Sequence, residues 1–339
     1  MRGRRFLLFA LLIFIAAGVM LAAVGIGAVM MPLREVAGII WSALRGALSR
    51  PFTPAETIIL QVRLPRILLG FLIGASLSVA GTAFQGLLQN PLADPYTIGV
   101  SSGAAVGATA AMLLFPGAAS TFTVPLAGFC GALLALFAVY RLGSVGGRLP
   151  VVTVLLAGVV VSSFLSAVIS LGMLVANEQM RNIFVWLAGG LGQKGWPLLL
   201  LIIPYFIIGL AVLIYLSRDL NLILLGEEDA LSLGVEVERT KRWILVAASL
   251  ITAGAVSVSG MIGFVGLIVP HAMRIIIGPD HRYLYPAALL GGGIFLVAAD
   301  TFARTVIAPA EIPVGIITAF LGAPFFIYLL RRHREKYRF

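Results

Sequence analysis

Apolar residues run along this 339-residue chain in long blocks, and polar residues gather in the short stretches between them. A helix rises about 1.5 Å per residue, so roughly 20 apolar residues cross the hydrocarbon core of a bilayer. The blocks predict ten spanning helices, over residues 6–31, 64–88, 96–115, 121–140, 150–175, 196–217, 242–260, 262–277, 283–303 and 312–330. The eighth is short, and 183–193 reads as an extra partial helix. Polar and apolar residues do not alternate over short segments, which excludes a transmembrane barrel. The expected fold is all-α and polytopic, a single membrane domain over 1–339.

The pattern also repeats. ASLSVAG, from Ala75 to Gly81 in the second span, returns as ASLITAG, from Ala248 to Gly254 in the seventh, with five of seven positions identical. With ten spans these two helices run in opposite directions, so the chain reads as two inverted halves. Inverted repeats are common in transport proteins, whose pathway lies between the halves. Small residues are also frequent in all membrane helices, so chance accounts for the same match.

Composition agrees with a lipid solvent, at 60% hydrophobic and 11% charged residues. The 38 glycines and 17 prolines fall inside apolar runs, where membrane helices tolerate them. A formal charge of +10 does not form a nucleic-acid patch, because the basic residues sit at helix ends. An even number of spans puts both termini on one side. If that side is the cytoplasm it holds 16 of the 24 basic residues, the tail's Arg331 to Arg338 among them, against 8 outside. The positive-inside rule favours this orientation. Arg2, Arg4 and Arg5 before the first run also fit a cleaved signal peptide, although the run is long enough to span.

Three residues break the charge bias. Arg63 and Arg66, in RLPR, lie at the outer start of the second span, and Arg304 at the outer end of the ninth. External positive charge suits an acidic docking partner. Snorkelling to lipid phosphate accounts for the same residues, and Asp300, one turn before Arg304, offers that arginine a local pairing.

Several chemistries are excluded. Of the 14 acidic residues only Asp300 falls within a predicted span, which disfavours an ion-coupled secondary transporter, the alternative class of carrier. His271, His281 and His333 cannot supply paired haem ligands, and no HExxH metal motif occurs. With one cysteine, Cys130, the chain forms no internal disulfide or thiolate cluster. No GxxxxGK[ST] loop is present, so nucleotide energy would come from another polypeptide. The longest polar interruption, 218–242, carries GEEDALSLGVEVERTKR. Glu227, Glu228 and Asp229 suit a helix start, Ala230, Leu231 and Leu233 supply an apolar side, and Gly234 a stop. Such a helix suits the cleft of a soluble motor; a solvated loop is the plain alternative.

These motifs together resemble the FecCD family, the permeases of type II ABC importers that carry iron-siderophore complexes, haem and cobalamin. The resemblance runs through RLPR (63–66), GTAFQGLLQNPLADPYTIGVSSGA (81–104), GEEDALSLGV (226–235), GFVGLIVPHAMR (263–274) and EIPVGIITAFLGAPFFIYLL (311–330). It implies a non-catalytic transport subunit with ten helices, in a homodimer or pseudo-dimer whose interface forms the pathway, lined by the fifth and tenth spans. It also implies a cytoplasmic ABC ATPase dimer holding ATP and Mg, a periplasmic or lipid-anchored substrate-binding protein, a metal-chelate cargo, and a bacterial or archaeal inner membrane. Matched by position, Arg63, Arg66 and Arg304 dock the binding protein, Asn90 and Leu92 form a gate region, and Glu227 to Gly234 couples to the ATPase. Val151 and Val152 stand where the cobalamin member has a polar constriction, and an apolar one closes by dewetting. Along the fifth span, Ser162, Ser163, Ser166 and Ser170 share part of one face. They read equally well as pathway-lining or helix-packing groups.

Overall fold

The computed structural model describes residues 2–27, 29–46, 50–115, 121–192 and 194–332. Gln193, His333, Arg334, Lys336 and Arg338 lie outside the described residues, as do the side chains of Arg2, Arg331 and Arg332. The described residues form helices α1 (Arg2–Gly25), α2 (Leu33–Leu44), α3 (Pro54–Leu87), α4 (Val100–Leu114), α5 (Thr123–Gly143), α6 (Val151–Val175), α7 (Met180–Leu187), α8 (Gly195–Tyr215), α9 (Ser217–Ile223), α10 (Glu227–Ser232), α11 (Val237–Ser259), α12 (Val265–Ile277), α13 (His281–Ala303) and α14 (Val314–Arg332).

Seven of these, α1, α3, α5, α6, α8, α11 and α13, are long and apolar enough to cross a membrane, and α4, α12 and α14 are shorter apolar helices. The chain is thus a multi-pass all-α membrane protein, with ten apolar helices in the expected order among the described residues. Their bounds shift where backbone chemistry ends a helix before hydrophobicity does. α1 stops at Gly25 rather than Met31. α4 begins at Val100 rather than 96, after Pro91, Pro95 and Gly99, whose φ of 85° no helix accommodates. The partial helix near 183–193 is α7, which ends at Leu187 ahead of Gly189, at φ 70°.

One element is new. α2 is amphipathic, starts after Pro32 with Glu35 in its first turn, and buries Val36. Further along, a capping box opens α3: Thr53 N donates to Glu56 Oε2 at 2.7 Å and Glu56 N donates back to Thr53 Oγ1 at 3.3 Å.

α3 and α11, the two copies of the repeated heptapeptide, pack against each other and are the most enclosed spans. α3 also packs on α13 and α12, and α11 on α5 and α4, so each copy makes the corresponding contacts with the other half. Close approach depends on glycine at two crossings. A Cβ on Gly81 would strike the Gly266 backbone, and one on Gly74 the Gly292 carbonyl. By contrast α1, α5, α6 and α8 expose large apolar side chains such as Phe14, Phe137, Phe164 and Ile207, which only lipid or another apolar surface can cover.

Contacts between helix ends define two faces. On one, Arg5 stacks over Tyr283 at 4.2 Å and Leu149 N donates to Glu238 at 2.8 Å. This near face holds the start of α1 and the α9–α10 segment. On the far face, Trp196 Nε1 donates to Leu60 O at 2.9 Å and Arg66 reaches Asp300.

Candidate functional site

The far face gathers all three arginines singled out by the charge count. Arg63 closes a π-helical stretch of α3 (Ile58–Arg63) and turns its guanidinium onto the end of α1. There it donates to Val24 O at 2.7 Å, to Gly25 O at 3.1 Å, and to Val29 O. Arg304 donates to Ala23 O in the same turn. A helix leaves its last carbonyls without partners, and these two buried cations satisfy them.

Arg66 takes two carboxylates: Nη2 donates to Asp300 Oδ1 at 2.8 Å, and Nη1 to Glu311 Oε2 at 2.9 Å. Asp300 is 3.9 Å from Arg304, so the local pairing exists but is the longer of its two. The structure therefore brings Arg63, Arg66 and Arg304 together with their donors turned inward.

Beside Arg66 lies a cavity of about 550 Å³ between the ends of α7, α11 and α14 and the turn before α8. Lys194 and Arg181 share its lining with Asp300, Glu311 and Trp186.

The near face carries the segment expected to meet a motor. Gly226, at φ 152°, and Gly234, at φ 84°, bracket α10, so its start and stop fall where the sequence puts them. Ala230 is fully buried with Ile223, Val235 and Val237. Lys241 holds Glu227 at 2.6 Å. Leu231 and Leu233 are 58% and 65% exposed beside Glu228 and Asp229, which makes a rigidly seated knob, apolar at its tip and acidic at its edge.

The candidate gate residues lie in two places. Asn90 Oδ1 accepts from Leu92 N at 2.9 Å, an Asx turn that leaves Leu92 half-exposed. Val151 and Val152 open α6 directly after Pro150, and Val152 is 75% exposed. Farther along α6, Ser163, Ser166 and Ser170 are exposed. Ser162 is half-buried, with Oγ 3.5 Å from Tyr96 O, and Ser170 Oγ donates to Ser166 O at 3.0 Å. The stripe is therefore split between a packing serine and three facing outward.

One residue escaped the reading of the sequence. Asp94, in the break between α3 and α4, is buried, with only a long contact from Tyr96 N at 3.4 Å to its carboxylate. Burial pushes its carboxyl up to about 7. It lies in a stretch that reads as connecting loop; the signal available was its place between Pro91 and Pro95 in a break short enough to be enclosed. Among the described residues no three His, Cys, Asp or Glu side chains come together to hold a metal ion.

Residues 10–332 match the FecCD transport family. The chain belongs to the FecCD transport family. That family comprises the ABC-type permeases of metal-chelate import, and this FecCD chain is a transmembrane, non-catalytic transport subunit.

It is 49% identical over 299 residues to the cobalamin import system permease protein BtuC of Halobacterium salinarum, covering 87% of this chain and 80% of that one. It is 42% identical over 286 residues to the hemin transport system permease protein HmuU of Yersinia pestis, covering 82% and 84%. A solved structure described as an inward-facing conformation of a putative metal-chelate type ABC transporter superimposes with a TM-score of 0.82 at 31% identity, covering 96% of this FecCD chain and 99% of that chain. FecCD permeases work as a dimer, with an ATPase and a substrate-binding protein.

Proposed function

We propose that this subunit passes a metal chelate, an iron-siderophore, haem or cobalamin, from a binding protein at the far face to the cytoplasm at the near face. Both termini are then cytoplasmic, and the membrane is the cell (inner) membrane of a bacterium or archaeon. The second permease is an identical copy, the whole chain acts as one domain, and 218–242 is its coupling segment. The observation that carries this reading is the α10 knob, pinned by Lys241 and exposing Leu231 and Leu233, on a chain with no nucleotide-binding loop of its own.

Closure of the ATPase moves α10, and α9 and α11, packed on either side of it, carry that motion into the bundle. The gate comprises Asn90 and Leu92 at one lip and Val151 and Val152 at the other. Ser163, Ser166 and Ser170 give the pathway a weakly polar lining from which a large cargo can leave, and Ser162 holds that helix to the turn before α4.

Arg63, Arg66 and Arg304 serve docking through their charge and by holding the surface, since their donors are engaged inside the chain. With Asp300 and Glu311 the cluster keeps an excess of one positive charge, enough to bias the approach of an acidic lobe. The test is ATPase activity in proteoliposomes containing the permease, its ATPase and the binding protein. Stimulation by the binding protein is expected, weakening at high salt and when Arg63 and Arg66 are replaced by Glu. Docking affinity and uptake unchanged by that double reversal, in protein shown to be folded, would refute the docking role.

A further inference from the structure

The far-face cavity holds a cation that the docking account does not use. Lys194 lies immediately before α8 and lines the cavity, partly withdrawn from solvent. No carboxylate among the described residues lies within ion-pair distance of it. The cavity's two acids are both committed to Arg66, as described above. Arg181, which shares the cavity's lining, is exposed and also lacks a carboxylate partner among the described residues.

Two further features favour negative charge at this place. Lys194 is the N-cap residue of a 21-residue helix, whose first amides point out of the helix toward it, so the helix end adds positive potential to a position that a lysine already makes positive. A cation there gains nothing from the helix dipole and is half desolvated; burial lowers its pKa for the same reason. An anion entering the cavity relieves both penalties at once. At about 550 Å³ the cavity is the size that holds a small molecule or one arm of a larger one.

We propose that Lys194, with Arg181 of the same cavity, forms a binding subsite for carboxylate groups of the cargo at the mouth of the pathway. This rests on the import reading and narrows it: the preferred cargo is an anionic, carboxylate-bearing chelate. Trp186 closes one wall and gives the site an optical reporter. The subsite holds its ligand by two cations only, which keeps it weak enough to release cargo inward.

The test uses the full-length chain in detergent and citrate as the probe, followed by calorimetry and by tryptophan fluorescence. Citrate binds wild type saturably and its uncharged trimethyl ester does not. Lys194→Gln weakens citrate about tenfold, the loss expected for one charge-assisted contact. Lys194→Arg keeps the affinity within about threefold, so a folding defect is told apart from loss of charge. Equal citrate affinity in wild type and Lys194→Gln overturns the proposal, as does equal binding of citrate and its ester. A Lys194→Gln protein that keeps citrate but loses the binding protein also overturns it, because the lysine would then serve docking. The titration needs neither ATPase nor transport, so citrate binding without ATP-driven uptake of any chelate would count against the import reading alone.

Discussion

Arg66 and Asp300 stand 234 residues apart in sequence and meet at 2.8 Å on the far face. Only local spacing is visible in a sequence, which is why Arg304, four residues from Asp300, looks like its natural partner, whereas packing of α3 on α13 supplies a shorter pair. The two carboxylates on Arg66 differ in consequence. Asp300 is buried, so Arg66→Met leaves a desolvated carboxylate with only the longer contact to Arg304, and should cost about 3 kcal/mol. Glu311 is half-exposed, and Glu311→Gln should cost less than about 1 kcal/mol. Thermal unfolding of the two variants in one detergent measures the contrast; equal losses would refute this ranking. Asp94 makes a prediction of the opposite kind. Its carboxyl is raised to about 7 when folded and lies near 3.8 otherwise, so the folded state holds a proton that the unfolded state gives up between those values. Its contribution to stability is intact below about pH 4 and is lost as pH rises toward 7. Asp94→Asn cannot ionise, so its advantage over wild type should be larger at pH 8 than at pH 5.5, with an upper bound of about 4 kcal/mol. A pH-independent difference would show that the carboxylate finds a compensating partner.

At the scale of elements, the long spans were legible because hydrophobicity alone decides them, and α10 was legible because two glycines and three acids mark its ends. α2 was not. Twelve residues are too few to span, and its apolar positions, Trp41 and Leu44 among them, fall on one side of a segment that reads as connection. The breaks after α3 and α11 were blurred for a related reason: hydropathy continues across Gly99 and Gly260 while the backbone turns. α10 offers the sharpest test of an element. Leu231→Asp with Leu233→Asp changes only exposed positions and should leave the melting temperature within about 2 °C, since substitutions at such sites stay within about 0.5 kcal/mol. Co-purification of the ATPase should nevertheless fall at least about tenfold, the consequence of removing an apolar anchor from an interface centre. Retention of the ATPase by this variant would move the coupling site elsewhere. Gly81→Leu should behave in reverse, because its side chain has no space against Gly266; a loss of about 1–3 kcal/mol or more is expected with the near-face knob untouched.

The bundle is joined along α3 and α11, and the enclosed core they make leaves α6 as a span whose surface is unclaimed. Val152, Leu156, Val159, Ser163, Ser166 and Ser170 are all exposed and recur at intervals of three and four, so they form one continuous stripe down the helix. On the proposed reading the three serines of this stripe face a pathway shared with a second copy. Phe137 on α5 is equally exposed but has apolar neighbours, Leu133 and Leu134, as a lipid-facing surface should. Single cysteines placed at 163, 166 and 137, with Cys130 replaced by Ser, therefore make opposite predictions toward a bifunctional maleimide long enough to span a pathway for a large chelate, in native membranes. If the two copies face each other across α6, Ser163→Cys and Ser166→Cys give a covalent dimer of about twice the 35.8 kDa chain, and Phe137→Cys gives none. A dimer trapped only through position 137 would place the interface on α5 and remove the serines from the pathway. No homodimeric product at 163 or 166, with a cross-link to a different permease instead, would leave the α6 pathway intact and replace the identical partner by a paralogue.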